Sequence, residues 1–375
     1  MSSLSQNLEK VATKPVKKPA LWRGPLVDGV TQSLLGKYLV CKERFRLLVV
    51  EGLKTTDGFS NSLEYGNLWH AAEEGLAAGE DWNIKLLQCA RGMAKRYPMD
   101  GAAVDKWYNV AKIQFPVYVE WWAKHKDVTS RTPLFQEEKF AIPYETSPGR
   151  SVLLRGKFDS VDLLGKKEIW LQENKTKGDI EPDIMQRQLQ FDLQTMLYLV
   201  ALEEKLAARA APAKLRGVRY NVVRRPLSGG RNSIRQHQPT KSKPNGESPE
   251  EFYDRLAGLI KDAVEPDGSH YYFMRWKVEV STSDIVRFKR EFLNPILENI
   301  LDDYEWWVYC HAHKMSPFDY QYRSRTYPHH ANRHYRMPFG VYNPLLEGRA
   351  TDLDEYLSSG SETGLQRCDN LFPEL

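Results

Sequence analysis

A stretch of alternating sequence between residues 134 and 225 is the feature that most constrains the fold. The segments LFQEEKFAIPY, SVLLRGKFDSVDLL and EIWLQENKT alternate apolar with polar residues and are rich in β-branched and aromatic side chains, which predicts three consecutive strands. The tight segment LLGKKE predicts a hairpin between the last two. A helix over about 183–208 and a strand in KLRGVRYNVVRRP follow. This order predicts an α/β core.

The chain on either side of this core divides by composition into four further regions. A disordered basic arm is predicted for residues 1–20, and a helical region for 21–130. The core then occupies 131–225. Residues 226–248 combine Gly, Pro and Ser with cations and predict a flexible basic loop, and 249–375 predict a C-terminal elaboration of helix and strand that packs on the core.

The amino-acid composition excludes some classes of protein but does not identify a function. The chain has 375 residues, of which 41% are hydrophobic, so a large core can be buried. Its 4 cysteines show no CxxC spacing, which is typical of a reducing compartment. We find neither a signal-peptide core nor an apolar run of roughly 18 residues, and expect a cytoplasmic protein without a membrane segment. The net charge of +4 permits a polyanionic partner and equally suits an ordinary surface.

Two carboxylates and a lysine lie on the predicted hairpin. A turn centred on Lys166 puts Asp159 directly across from Glu173, and strand alternation puts Lys175 on the same face as Glu173. Carboxylates this close repel each other unless a cation such as Mg²⁺ or Mn²⁺ binds between them. The pattern is short, however, and on its own it describes a surface hairpin with a cross-strand salt bridge just as well.

A polar stripe on the following helix favours the metal site. Gln186, Gln190, Gln194 and Tyr198 recur every four residues on a helix that is otherwise largely apolar. A solvent-facing stripe is the alternative, but Lys and Glu would be more usual there. Neutral donors such as Gln and Tyr suit a nucleic-acid backbone near a metal.

The order of these motifs resembles the RecB-like branch of the PD-(D/E)XK nuclease superfamily. The motifs are G-x-x-D (Gly156, Asp159), E-x-K (Glu173, Lys175) and Q-x-x-x-Y (Gln194, Tyr198). An upstream G-x-x-x-H (Gly66, His70) and the segment SLLGKYLVCKERF extend the resemblance, which covers about residues 30–225. It implies a restriction-endonuclease-like core, in which helices flank a mixed central sheet, with an N-terminal helical segment and a C-terminal elaboration.

The resemblance also implies a role for each motif residue. His70, Asp159 and Glu173 would ligate Mg²⁺ or Mn²⁺ together with the backbone carbonyl of Asn174, and Lys175 would act on the attacking water. Gln194 and Tyr198 would hold the DNA strand or buttress the site. Glu138 is interpreted as structural or as a supporting residue. The implied function is a metal-dependent DNA exonuclease of recombination, repair, or phage or CRISPR DNA processing.

The motif set leaves two other functions open. One is a structure-specific endonuclease, and the other is a catalytically inactive DNA-binding scaffold, against which the intact Asp159, Glu173 and Lys175 argue. No G-x-x-x-x-G-K-[ST] motif is present. A helicase or recombination protein that works with the nuclease would therefore be a separate chain.

Many RecB-like relatives carry a four-cysteine iron–sulfur cluster, and Cys41 stands where the first ligand is expected. Met337 occupies the position of a later cysteine, and Cys310 and Cys368 lie too far apart to replace the missing thiolates. We therefore expect no iron–sulfur cluster. A zinc site formed by His329, His330 and His334 is a weaker alternative.

Cations interleaved with aromatic residues predict the path of the DNA. We expect strand contacts from Gln190, from Arg224 and Arg225 after the core, and from Arg323 and Arg325 in the C-terminal part. An ordinary solvated charged surface would have a similar composition.

Overall fold

A computed structural model describes residues 22–55, 58–125, 130–165, 167–207, 213–227, 234–315 and 365–367. The helices are α1 (Gln32–Val40), α2 (Lys42–Phe45), α3 (Asn61–Ala77), α4 (Trp82–Arg96), α5 (Gly101–Ala123), α6 (Pro182–Leu189), α7 (Leu193–Ala207), α8 (Pro249–Lys261), α9 (Thr282–Phe288) and α10 (Asn294–Ala312). Two π-helical turns, Arg46–Val50 and Lys289–Leu293, continue α2 and connect α9 to α10. The strands are β1 (Leu53–Thr55), β2 (Arg131–Ser147), β3 (Arg150–Leu164), β4 (Glu168–Lys177), β5 (Lys214–Arg224), β6 (Phe273–Glu279) and β7 (Leu365–Arg367).

Five of these strands form one mixed sheet in the order β2-β3-β4-β5-β6. Strand β5 runs parallel to β4, because α6 and α7 carry the chain back between them, and the other neighbours pair antiparallel. The prediction of an α/β core with a mixed sheet flanked by helices is confirmed. The sheet also extends beyond residue 225, since β6 pairs along β5 and completes it.

The hairpin register predicted from the sequence is the register observed. The ladder between β3 and β4 runs from Leu164 opposite Glu168 to Ser160 opposite Gln172, so it is centred on position 166. It ends one pair before Asp159 and Glu173. The two strands separate where the predicted site begins.

Two hydrophobic clusters support the sheet. The first, here called the sheet core, contains Phe140, Phe158, Tyr198 and Val222 and buries α7 against the sheet. The second, here called the helical core, contains Trp69, Phe115 and Tyr118 from α3 and α5 together with residues of α8 and β6. Edge-to-face contacts at 5.1–5.2 Å between the ring of Trp69 and those of Phe115 and Tyr118 fix α3 against α5. The helical core thereby positions α3 beside the sheet.

The single helix predicted over about 183–208 is wrong, because two helices occupy this stretch. Helix α6 ends at Leu189, and α7 begins at Leu193 after the carboxylate of Asp192, which accepts a hydrogen bond from the Thr195 backbone N–H (3.1 Å). The hydroxyl of Tyr220 donates to the Leu189 carbonyl oxygen at 3.0 Å, so this end of α6 is satisfied without a continuous helix. The predicted polar stripe is therefore divided between two helices.

Several predictions concern residues that the structure leaves undescribed. The basic arm at 1–20, Arg323, Arg325, Cys368, Met337 and the three histidines at 329, 330 and 334 lie outside the described residues. Across the ranges that are described, no helix combines the length and the apolar character that crossing a membrane requires.

The helical core contains a histidine that should make the fold sensitive to acid. His270 is 2% exposed, stacks on Phe273 with ring centroids 4.2 Å apart, and accepts the Tyr272 backbone N–H on Nδ1. Burial lowers the pKa of His270 to about 4 from its ordinary 6.5. Below about pH 6.5, this histidine binds a proton in the unfolded chain but remains neutral in the folded chain. The free energy of unfolding therefore falls between pH 6.5 and 4, by on the order of 2 kcal/mol.

We predict that His270→Asn keeps an acceptor for the Tyr272 N–H but removes this acid sensitivity. Urea unfolding of both proteins between pH 7 and 4.5 measures the effect, and the stability difference between wild type and variant should shrink as the pH falls. The exposed His311 provides the control, since His311→Asn should follow the wild-type curve. Parallel curves for wild type and His270→Asn would show that the ring titrates normally.

Candidate active site

The candidate site opens where β3 and β4 part. Asp159 is the first residue beyond the paired ladder, and its Oδ2 accepts the backbone N–H of Asn174 at 2.8 Å. The carboxylate thus takes the place of a ladder bond and is held in the gap between the strands. Asp159 is 8% exposed and Glu173 is fully buried, so both acidic groups lie inside the protein.

Glu173, Lys175 and Gln194 form one hydrogen-bonded group. The ammonium of Lys175 lies 3.3 Å from Glu173 Oε2 and donates to Gln194 Oε1 at 2.6 Å. The Gln194 amide donates back to Glu173 Oε2 at 2.9 Å. Gln194 lies at the start of α7, so the helix that follows the hairpin fixes the lysine and the glutamate relative to each other.

His70 and a further carboxylate complete the site from two other elements. His70 on α3 places Nδ1 3.8 Å from Asp159 Oδ1. Glu137 on β2 joins them, and one ligand atom from each of these three residues lies within 4.8 Å of the others. The sequence interpretation had weighed Glu138 and missed Glu137. The available signal was the carboxylate doublet Glu137–Glu138 on the strand predicted next to Asp159.

Burial raises the pKa of two carboxylates of the site, those of Glu173 and Glu137. It raises the pKa of Glu173 to about 8, against the opposing charge of Lys175, and the nearby Asp159 raises it further. Burial followed by Asp159 likewise raises the pKa of Glu137 to about 7. Burial acts to lower the pKa of Lys175, but the carboxylates, Glu173 first, raise it overall. A divalent cation would relieve this concentration of negative charge.

One buried atom shows that the residues fit a metal ion. Glu173 Oε2 is satisfied by Lys175 and Gln194, whereas Glu173 Oε1 is buried with no hydrogen-bond partner. An orphaned carboxylate oxygen in the protein interior is costly, and coordination of a cation would satisfy it. Carboxylates with one imidazole suit Mg²⁺ or Mn²⁺.

Comparison with known proteins agrees with this geometry. The family model of the PD-(D/E)XK nuclease superfamily matches residues 30–270, which span the helix of His70, the hairpin, α7 and β5. The chain belongs to the PD-(D/E)XK nuclease superfamily. It is accordingly a nuclease of a class that uses divalent metals. A search of the curated proteins found no match.

The glycine and tyrosine motifs of this PD-(D/E)XK chain meet in the structure. A Cβ atom added to Gly156 would lie 2.5 Å from Phe140 Cζ and 2.8 Å from Tyr198 Cε1. The Tyr198 ring therefore packs directly on the β3 backbone, and it makes edge-to-face contacts with Phe140 and Phe158. Tyr198 is 9% exposed, and Gln194 of the same helix is hydrogen-bonded to Lys175.

We predict that Gly156→Ala destabilises the fold by about 1–3 kcal/mol, since the new methyl group must displace buried aromatic rings. Chemical unfolding measures the loss, and nuclease activity should fall as Tyr198 and α7 shift. Gly92 is exposed within α4, and nothing lies within 4 Å of an added Cβ there. Gly92→Ala should therefore leave stability unchanged or raise it by up to about 1 kcal/mol. Equal stability of the two variants would contradict the packing described.

The residues predicted to contact DNA differ in how deeply they are buried. Arg224 is 7% exposed, and its guanidinium donates to Asp179 and Ile180 and lies over the ring of Tyr271 at 4.0 Å. A phosphate contact from Arg224 stays a prediction, and it would require the guanidinium to exchange these bonds for the phosphate. Arg225 is half-buried and its Nη1 approaches the Thr176 carbonyl oxygen (3.4 Å), whereas Gln190 is exposed.

Cys41, the residue in the position of a first cluster ligand, has a local structural role. It is buried, and its Sγ accepts the Arg44 backbone N–H at 3.1 Å at the start of α2. Burial raises the pKa of the thiol to about 11. In the metal-free protein, this environment therefore favours the thiol over the thiolate form of Cys41.

Proposed function

We propose that this nuclease is a Mg²⁺- or Mn²⁺-dependent exonuclease that hydrolyses phosphodiester bonds at DNA ends. The observation that carries the proposal is the burial of the acidic centre, with Asp159 8% exposed and Glu173 fully buried beside the helix of His70. An intact duplex brings its phosphates to a protein on a broad surface, whereas a strand end can be inserted into a recessed site. The motif order, which resembles the RecB-like branch, supports the same function.

Each residue has a task in the proposed hydrolysis. His70, Asp159 and Glu173, with the Asn174 carbonyl, would hold the cation. When bound, the cation would lower the pKa of a coordinated water and neutralise charge on the phosphate. Asp159 is held in position by the Asn174 N–H. The water oxygen would bond to phosphorus as the water gives up a proton to solvent, the phosphorus–oxygen bond to the leaving nucleotide would break, and the departing oxygen would take up a proton from solvent.

The surroundings of Lys175 favour a role for its positive charge over a role as a base. Its ammonium is enclosed by Glu173 and Gln194, and the neighbouring carboxylates raise its pKa, so it carries a proton in the cation-free protein. A protonated lysine stabilises negative charge that develops on the phosphate. We therefore propose charge stabilisation and orientation of the water, rather than deprotonation of the water, as the task of Lys175.

The strand is proposed to pass the exposed break between α6 and α7. Gln190 is solvent-accessible there, four residues before Gln194, and Arg225 is a half-buried cation at the end of β5. Neutral and cationic donors at these positions would contact phosphates and orient the strand without reading its sequence. A separate helicase or recombination protein is proposed to supply the single-stranded end.

Digestion of matched DNA substrates tests the proposal. The full chain is incubated with Mn²⁺ or Mg²⁺ and with end-labelled linear duplex, linear single strands and covalently closed circles of the same sequence. An exonuclease shortens the linear substrates progressively and leaves closed circles intact. Cleavage of the circles would establish an endonuclease instead. DNA binding with no cleavage of any substrate, by wild type and Lys175→Ala alike, would establish a scaffold.

A further inference from the structure

Two glutamates adjacent in sequence have opposite surroundings on β2. Glu138 forms an ion pair with Lys205 of α7, and 38% of its side chain is exposed. Glu137 turns the other way, toward Asp159 and His70, and only 10% of its side chain is exposed. One carboxylate serves the packing of a helix, and its neighbour is directed into the active centre.

Strand alternation accounts for this divergence, and the backbone at Glu137 is strained as well. Its φ of +47° lies in the left-handed region, which costs a non-glycine residue about 1–3 kcal/mol. The flanking pairs, Gln136 with Ser160 and Glu138 with Phe158, bracket the position and place Glu137 opposite Asp159. The register of β2 against β3 therefore brings the Glu137 carboxylate to Asp159, at a position where the backbone conformation is strained.

Glu137 adds a third acidic group to the centre. Glu137, Asp159 and Glu173 come from three neighbouring strands, and His70 lies beside them on α3. The cation nearest to Glu137 is Lys157, whose ammonium lies 2.6 Å from Glu137 Oε2 and 3.6 Å from Glu74. Independently of this cluster, the fully buried Glu173 next to it has an Oε1 atom with no hydrogen-bond partner. Both observations point to a cation between β2, β3 and β4.

We propose that Glu137 is a ligand of the divalent cation, together with His70 and Asp159, and that Lys157 takes the place of the cation on Glu137 when the site is empty. The inference deepens the proposed function and rests on its metal site. A donor set of carboxylate oxygens and one imidazole suits Mn²⁺ particularly well. On cation binding, Lys157 retains Glu74 as a partner.

Isothermal titration of Mn²⁺ into the full-length protein tests this role without reference to cleavage. We expect Glu137→Gln, which keeps the size of the side chain and removes its charge, to raise the Kd for Mn²⁺ about tenfold or more. Glu138→Gln is the matched control, one residue away with its side chain on Lys205, and should stay within about twofold of wild type. Equal weakening by both variants, or no Mn²⁺ binding by wild type, would overturn the proposal.

A crystal of the wild-type protein soaked in Mn²⁺ provides a measurement that needs no variant. Anomalous scattering should locate an ion in contact with a Glu137 oxygen, at roughly the 2.0–2.6 Å typical of hard-cation ligands. An ion that touches Asp159 and Glu173 but lies beyond reach of Glu137 would refute the assignment. Should Glu137 bind Mn²⁺ while the protein cleaves no DNA, this inference would stand and the proposed exonuclease activity would fail.

Discussion

Replacing Lys175 by Met should reduce the rate of DNA cleavage by about 10²- to 10³-fold or more. The substitution removes the positive charge next to Glu173 and the donor to Gln194, while the apolar stem of the side chain is kept. DNA held by contacts elsewhere should bind within a few-fold of wild type. Single-turnover cleavage with saturating Mn²⁺ measures the chemical step, and fluorescence anisotropy in EDTA measures binding.

Lys177 provides the matched control, since it lies two residues further along β4. Lys177→Met should change the cleavage rate only a few-fold. If Lys175→Met loses DNA binding in proportion to cleavage, Lys175 contributes to binding of the DNA strand rather than to the chemical step. If Lys175→Met retains the full cleavage rate, Lys175 has no role in the mechanism.

Replacing Asp159 by Asn should abolish cleavage, yet leave the metal-free protein at least as stable as wild type. Asn keeps an oxygen to accept the Asn174 N–H but removes a negative charge beside Glu173 and Glu137, whose pKa values Asp159 raises. Relief of this repulsion should increase the free energy of unfolding in EDTA by on the order of 1 kcal/mol. The cleavage activity of the variant should fall about 10³-fold or more. The increase in stability that Mn²⁺ binding gives to wild type should be lost in the variant.

Asp162, three residues along the same strand, should show the opposite behaviour. Its carboxylate accepts a hydrogen bond from Arg219 at 2.5 Å, and both side chains are fully buried. Asp162→Asn removes one charge of this buried ion pair and should cost about 3–5 kcal/mol, although the proposed catalytic groups are untouched. Urea unfolding in EDTA and cleavage assays separate the two effects. A large stability loss in Asp159→Asn would show that Asp159 serves the fold.

The strand pattern predicted the sheet hairpin and its register, because side-chain alternation and a short turn are local properties. The motif order also singled out His70, and the structure places it near Asp159 although 89 residues separate the two in sequence. The break at Gln190–Asp192 was missed, since every residue there is compatible with a helix. The helix break is stabilised by the Asp192 side chain, which caps α7, and by the Tyr220 hydroxyl, which comes from β5.

The residue types on the hairpin, the pairing of its two strands and the order of the motifs could all be predicted from the amino-acid sequence. These follow from periodicity and spacing within a few tens of residues. That Glu137 rather than Glu138 lies next to Asp159, and that Arg224 donates to Asp179, could be seen only in the folded protein. The contacts of a side chain depend on partners from distant elements, and packing brings those partners together only in the folded chain.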